Sequence, residues 1–148
     1  MKILIIGSNG FIGKYYKNFS KLKNLLTTSS KKNSSNIYFN IMSHDLQKII
    51  DEYNITHVVF FSAISDPLKC ARNKRLSRKF NVTLTKRNLN KLIKNNIYFI
   101  FFSSEYVFNG IRGGYSENSK TGNKLLYGKQ KVIMENYLKK KIIEIFQF

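Results

Sequence analysis

Tyr127 and Lys131 stand four positions apart in Tyr127-Gly128-Lys129-Gln130-Lys131, so one helix face carries both side chains. A phenol beside an ammonium is suited to proton transfer, because the cation favours tyrosinate and draws a group of pKa ~10 toward working pH. A second cluster, Phe102-Ser103-Ser104-Glu105-Tyr106-Val107-Phe108-Asn109-Gly110, ends an apolar run. Its Ser104 hydroxyl could hold a carbonyl oxygen while Tyr127 donates or accepts the proton. Tyr137 and Lys141 repeat the spacing, and in so lysine-rich a chain the pair alone says little. Tyr127 is the better choice, because its helix begins there, after a polar loop, and its face can look into a crevice. Tyr137 lies near the far end of the same helix.

The chain opens with Lys2-Ile3-Leu4-Ile5-Ile6 and runs directly into Gly7-Ser8-Asn9-Gly10-Phe11-Ile12-Gly13. A buried strand that ends in such a loop and leads into a helix is suited to holding a pyrophosphate. Gly7 makes the tight turn, Gly10 lets the backbone approach the phosphates, and Gly13 lets the new helix pack on the strand. The spacing is G-x-x-G-x-x-G rather than the commoner G-x-G-x-x-G, and a plain structural turn is the competing reading. Position directly behind the apolar run favours the phosphate. An oxidised nicotinamide dinucleotide bound there would add its own positive charge to the effect of Lys131 on Tyr127.

Alternating elements must position these groups. The pattern predicts strands at residues 2–7, Asn24–Thr28, Asn36–Phe39, Thr56–Phe61, Ile97–Ser103 and Ile142–Phe148. Between them it predicts helices from Gly10 to Lys21, His44 to Tyr53, Lys69 to Asn95 and Leu126 to Lys140. Leu76, Phe80, Leu84, Leu89, Leu92 and Ile93 would form one apolar face of the long third helix. Strands separated by helices imply an α/β fold with a doubly wound parallel sheet and ligands at the carboxyl ends of the strands.

The 148 residues are enough for one domain with its own core. The formal charge of +18 suggests a polyanion partner, but the excess is lysine spread along the whole chain. Lys, Asn and Ile together exceed a third of the residues, a drift in composition, and no specific nucleic-acid partner is expected. A single cysteine, Cys70, excludes an internal disulfide and suits a reducing cytoplasm. No secretory signal is expected ahead of the first strand, no apolar run approaches the ~18–20 residues of a membrane span, and no metal-ligand cluster stands out.

Taken in order, the glycine loop, Asn81-Val82, Ser103-Ser104-Glu105-Tyr106-Val107-Phe108-Asn109-Gly110, Glu117 and Tyr127-Gly-x-x-Lys131 resemble the extended short-chain dehydrogenase/reductases. The nearest branch is the dTDP-4-dehydrorhamnose reductase-like group of sugar-nucleotide enzymes. The resemblance implies a Rossmann-type NAD(P)-binding domain over residues 1–148. It implies catalysis by Ser104, Tyr127 and Lys131, with Lys131 also holding the nicotinamide ribose. It places the pyrophosphate at Gly7, Gly10 and Gly13, with backbone around Ser8, Asn9, Phe11 and Ile12. Ser62 and Ala63 fall where the family has Ala-Ala against the cofactor, and Asn81 falls on its helix asparagine.

Four departures stand out. Asn40 replaces an aspartate that faces adenine in the family, Asn123 replaces a proline before the tyrosine helix, and Glu105 and Asn109 replace two aspartates. The fourth is length, since family members run to roughly twice this chain and their second half binds the sugar nucleotide. The expectation is a chain cut in or after the sixth strand, its edge exposing Ile142, Ile143, Ile145, Phe146 and Phe148 to self-association or a partner strand.

The implied reaction passes hydride from a nicotinamide to the keto carbon of a nucleotide-linked 4-keto sugar, a step of dTDP-rhamnose and polysaccharide biosynthesis. Poor turnover by the short chain alone is expected. Competing readings are a non-catalytic NADP-binding regulatory subunit, a truncated remnant, and a sugar-nucleotide epimerase or dehydratase. NADP(H) is expected over NAD(H), because the second strand ends Thr27-Thr28-Ser29-Ser30-Lys31-Lys32 without the acid that grips a ribose 2′-OH. Ser29, Lys31 and Lys32 suit a 2′-phosphate instead.

Overall fold

Ile3–Ile6 is apolar at every position and buried at every position, the signature of a central strand in a parallel sheet. In the computed structural model, which describes residues 1–32 and 36–146, this strand is β1. The chain continues through α1 (Phe11–Phe19), β2 (Leu25–Ser29), β3 (Ile37–Tyr38), α2 (Leu46–Tyr53), β4 (His57–Phe60), α3 (Pro67–Arg72) and α4 (Lys74–Arg78). A π-helical turn at Lys79–Leu84 leads to α5 (Thr85–Lys94) and β5 (Tyr98–Phe101), and a 3-10 turn at Glu105–Val107 precedes α6 (Leu126–Phe146). The residues group into two compact units, Met1–Ala63 with Leu84–Phe102, and Ile64–Thr83 with Ser103–Phe148.

The first unit holds a five-stranded, wholly parallel sheet in the order β3-β2-β1-β4-β5. Leu4 pairs with Leu26 on one side and Val58 on the other, and Val58 pairs in turn with Phe99. Strand order reverses at β1, so a ligand crevice is expected at the carboxyl ends of β1 and β4. Leu4, Ile5, Phe60, Leu46, Leu89 and Leu92 are fully buried and form the core. Asp45 caps α2 by accepting the Gln47 N–H (2.8 Å), and Asn54 ends it in the left-handed region at φ 51°. Gln47 and Asn95 exchange side-chain hydrogen bonds (3.1 and 2.9 Å) between α2 and the end of α5.

The second unit is helical. Asp66 caps α3 by accepting the Leu68 and Lys69 N–H groups (2.8 and 3.1 Å), with Pro67 in the first turn, where its missing donor costs nothing. The single long helix predicted from Lys69 to Asn95 is broken. Asn73 leaves helical geometry (φ −130°, ψ 74°), and its side chain accepts the Leu76 N–H (3.0 Å) to start α4. An asparagine that can bond the backbone locally competes with the helical ladder, and apolar periodicity alone does not register that competition. Leu76 is accordingly exposed, whereas Leu84, Leu89 and Leu92 are buried.

The sixth strand predicted over Ile142–Phe148 is also corrected. The chain is helical through Phe146, and residues 147 and 148 lie outside the described part. The β-branched run reads as strand by propensity. Between Lys139 and Phe146, however, there is no Gly, Asn or Pro to end the helix.

Candidate active site

In the first unit the glycine loop is fixed by close packing. Gly7 has φ +93°, and a Cβ there would lie 2.7 Å from the Ser62 nitrogen, so β1 and β4 end against each other with no room for a side chain. A Cβ on Gly13 would overlap the Gly7 carbonyl oxygen and stand 2.9 Å from Ser8 Cα. Gly10 differs. Its Cβ would meet only Gly7 O, at an ordinary 3.4 Å, so packing does not require glycine there. Gly10 precedes α1 without a side-chain cap, and Phe11 and Ile12, next along the chain, are exposed. A bare cradle with uncapped N–H donors at the end of β1 fits an approaching anion.

The loop is tied to the end of β2. Ser8 Oγ donates to the Thr28 carbonyl (2.7 Å), Asn9 Nδ2 donates to Ser29 Oγ (2.8 Å), and the Lys31 N–H donates to the same Ser29 oxygen (3.0 Å). Gly7, Asn9, Ser29, Lys31 and Ser62 are therefore joined through short contacts, with Ala63 following Ser62. Lys32 Nζ sits 5.6 Å from the centre of the Tyr38 ring. The Phe39 N–H donates to Ser29 O (2.8 Å), and Asn40 follows directly. Asn40 Oδ1 is taken by the Met42 N–H (2.9 Å).

In the second unit, Ser104, Tyr127 and Lys131 come together. Tyr127 and Lys131 are both about 6 % exposed, and Lys131 Nζ is 5.8 Å from the centre of the Tyr127 ring. Tyr106 meets Tyr127 edge-on at 5.9 Å. The Ser104 hydroxyl accepts the Tyr106 N–H (3.3 Å) at the start of the 3-10 turn. The electrostatics differ from the simple expectation that Lys131 lowers the phenol. Burial, then the Glu105 carboxylate, pushes the Tyr127 phenol above its ordinary value, opposed by a hydrogen bond with Ser104. Burial pulls the Lys131 ammonium down to about 8, opposed by the Glu135 carboxylate on the next turn of α6.

Asn81 has a structural setting. Its Oδ1 accepts the Ile64 N–H (2.8 Å), and its Nδ2 donates to the Ile64 carbonyl (2.9 Å) and to Gln130 Oε1 (2.7 Å). Sequence reasoning overlooked three neighbours of the catalytic candidates. A Cβ on Gly128 would overlap the Tyr106 carbonyl oxygen and stand 2.9 Å from Asn123 Cβ. Gln130 is fully buried. Glu135 accepts a hydrogen bond from Ser103 Oγ. A glycine in the first turn of a helix was the available signal for the first, whereas nothing local marks a surface-type glutamine as buried. Among the described residues no group of His, Cys, Asp or Glu could hold a metal ion, and no helix is long and apolar enough to cross a membrane.

The family model described as the RmlD substrate binding domain matches residues 1–146. A hypothetical dTDP-4-dehydrorhamnose reductase from Sulfolobus tokodaii superposes with a TM-score of 0.80 at 21% identity, covering 93% of this chain and 51% of that one. A dTDP-4-dehydrorhamnose reductase from Clostridium acetobutylicum gives 0.77 at 26% identity, covering 94% and 49%. The Bacillus anthracis dTDP-4-dehydrorhamnose reductase in complex with NADP gives 0.78 at 21% identity, covering 95% and 50%. The chain thus spans about half the length of the solved structures it matches. No curated protein matches it by sequence.

Proposed function

The chain belongs to the RmlD substrate binding domain family, and from that premise we propose that it is the NADP(H)-binding, proton-transferring part of a sugar-nucleotide reductase. The observation that carries this reading is the grouping of Ser104, Tyr127 and Lys131 in one unit of a chain whose other unit bears an open glycine cradle. When bound, the nicotinamide supplies the hydride. Cofactor binding and proton transfer fall to side chains and backbone of this chain.

Gly7, Gly10 and Gly13, with the N–H groups of Phe11 and Ile12, hold the pyrophosphate. Ser62 and Ala63 line the same loop floor, Asn40 borders the adenine, and Ser29, Lys31 and Lys32 take the ribose 2′-phosphate. Support for the last assignment is the absence of an acid at the end of β2, together with NADP in the Bacillus anthracis relative. Ser104 holds the keto oxygen of a dTDP-linked 4-keto-6-deoxy sugar, and Tyr127 gives that oxygen its proton. Lys131 stabilises the tyrosinate left behind and the nicotinamide ribose. A reducing cytoplasm is the compartment in keeping with this cofactor and with the lone Cys70.

The test is NADPH oxidation in the presence of dTDP-4-keto-6-deoxyhexose, with Tyr127→Phe as control. Sugar-dependent oxidation that falls at least ~100-fold in the variant supports general-acid catalysis by Tyr127. Sugar-dependent oxidation that is undiminished in Tyr127→Phe would remove Tyr127 from the proton transfer.

A further inference from the structure

Gln130 is a polar residue in an unusual place, about 1 % exposed and immediately before Lys131 on α6. Its Oε1 accepts from Asn81 Nδ2 (2.7 Å), and its Nε2 donates to Ser77 Oγ (3.0 Å). Ser77, equally buried, donates in turn to backbone carbonyls of Lys74 (3.1 Å) and Cys70 (3.3 Å). Asn81 holds the N–H and the carbonyl of Ile64 at once. One side chain of α6 is thereby bonded to a network that reaches α3, α4 and the loop before them, all within the second unit.

A helix turns about 100° per residue, so fixing the direction of Gln130 fixes that of Lys131 beside it and of Tyr127 three positions earlier. Gly128 adds a second constraint, because α6 lies directly on the Tyr106 carbonyl. A buried amide that must satisfy both its oxygen and its nitrogen accepts one orientation only, whereas an apolar side chain would tolerate rotation of the helix.

We propose that Gln130 is a positioning residue, which sets the rotation of α6 through Asn81 and Ser77 and so holds Lys131 and Tyr127 in register with Ser104. What those three residues do rests on the reading above, whereas the rotational role of Gln130 does not. Buried lysine is the reporter. Its midpoint near 8 exists only while α6 keeps the ammonium out of water. The ionisable groups around Lys131 and Tyr127 are Glu135 on α6, Glu105 and Tyr106 of the 3-10 turn and Cys70 of α3, and none is altered by changing Gln130.

The experiment follows the titration midpoint of Lys131 by pH-dependent competitive amine labelling and mass spectrometry. Exposed Lys129 is the internal reference, and NADPH affinity is measured in parallel. In Gln130→Met, nearly the same in volume, the Lys131 midpoint should rise by at least one pH unit toward 10.5, and NADPH should bind about tenfold more weakly. Ser77→Ala, which removes one bond of the network, should move the midpoint in the same direction by less, and it serves alone should Gln130→Met not fold. A midpoint that stays at the wild-type value in either folded variant, with only the melting temperature lowered, would overturn the proposal. Absence of NADPH binding in the wild type would sink the cofactor reading instead, leaving the Lys131 midpoint to judge Gln130.

Discussion

The carbonyl oxygen of Tyr106 occupies the place where a side chain on Gly128 would begin, so the first turn of α6 rests directly on the 3-10 turn that follows Ser104. Through this contact the strand-end loop and the tyrosine helix share one geometry, and Tyr106 and Tyr127 meet edge-on as a result.

Gly128→Ala should therefore destabilise the protein, although alanine favours a helix over glycine by ~1 kcal/mol. Overpacking against backbone typically costs ~1–3 kcal/mol and cannot be relieved by a rotamer change. Denaturant unfolding should show a lower midpoint with an unchanged slope. A midpoint at or above the wild-type value would mean that α6 is not seated on Tyr106.

Lys131 gives the stability a definite pH dependence. Its folded value of about 8 lies below its ordinary 10.5, so between these the unfolded chain binds more protons than the folded one. Its contribution to stability must then rise with pH across that window. Tyr127 acts oppositely only above 10, where the unfolded phenol ionises first. Relative to Lys131→Met, the wild type should gain ~2 kcal/mol of stability between pH 8 and 10, at 1.36 kcal/mol per pH unit before allowance for incomplete burial. Parallel unfolding curves for the two proteins at each pH provide the check. A flat difference would place the ammonium in water.

Much of this arrangement was legible in the sequence. The glycine loop, the five strands that the structure retains and the Tyr-x-x-x-Lys spacing depend on local pattern, and each appears within a few residues of its predicted position. The failures share a cause. Asn73 breaks a continuous apolar period through its own side-chain hydrogen bond, and Ile142–Phe146 stays helical because no stop signal intervenes. The bond between Gln130 and Asn81 was opaque for another reason, since only tertiary packing decides that two amides meet in a core. Tyr127 was misjudged electrostatically, because spacing shows the cation four residues away but not the burial and the Glu105 charge that outweigh it.

Cofactor choice should follow the end of β2. Lys31→Glu/Lys32→Glu should weaken NADPH at physiological salt by tenfold or more, about 1.4 kcal/mol, and leave NADH within about twofold. Titration of both dinucleotides against wild type and variant provides the comparison. Equal wild-type affinities for the two, or unchanged NADPH binding in the variant, would remove these lysines from the site.

If the loop after β1 holds a dinucleotide pyrophosphate, Gly10 separates that binding from folding. A Cβ there meets only Gly7 O at 3.4 Å, and the residue sits in extended backbone at φ −70°, so Gly10→Val can fold normally. In a ligand complex its side chain would stand where the phosphates approach. Calorimetric titration of NADPH into wild type and Gly10→Val, with melting curves of both, is the direct measurement. Measurable wild-type binding, a loss of tenfold or more in the variant (about 1.4 kcal/mol) and closely similar melting temperatures are expected. Equal affinity in the two proteins, or no NADPH or NADH binding by the wild type, would contradict it.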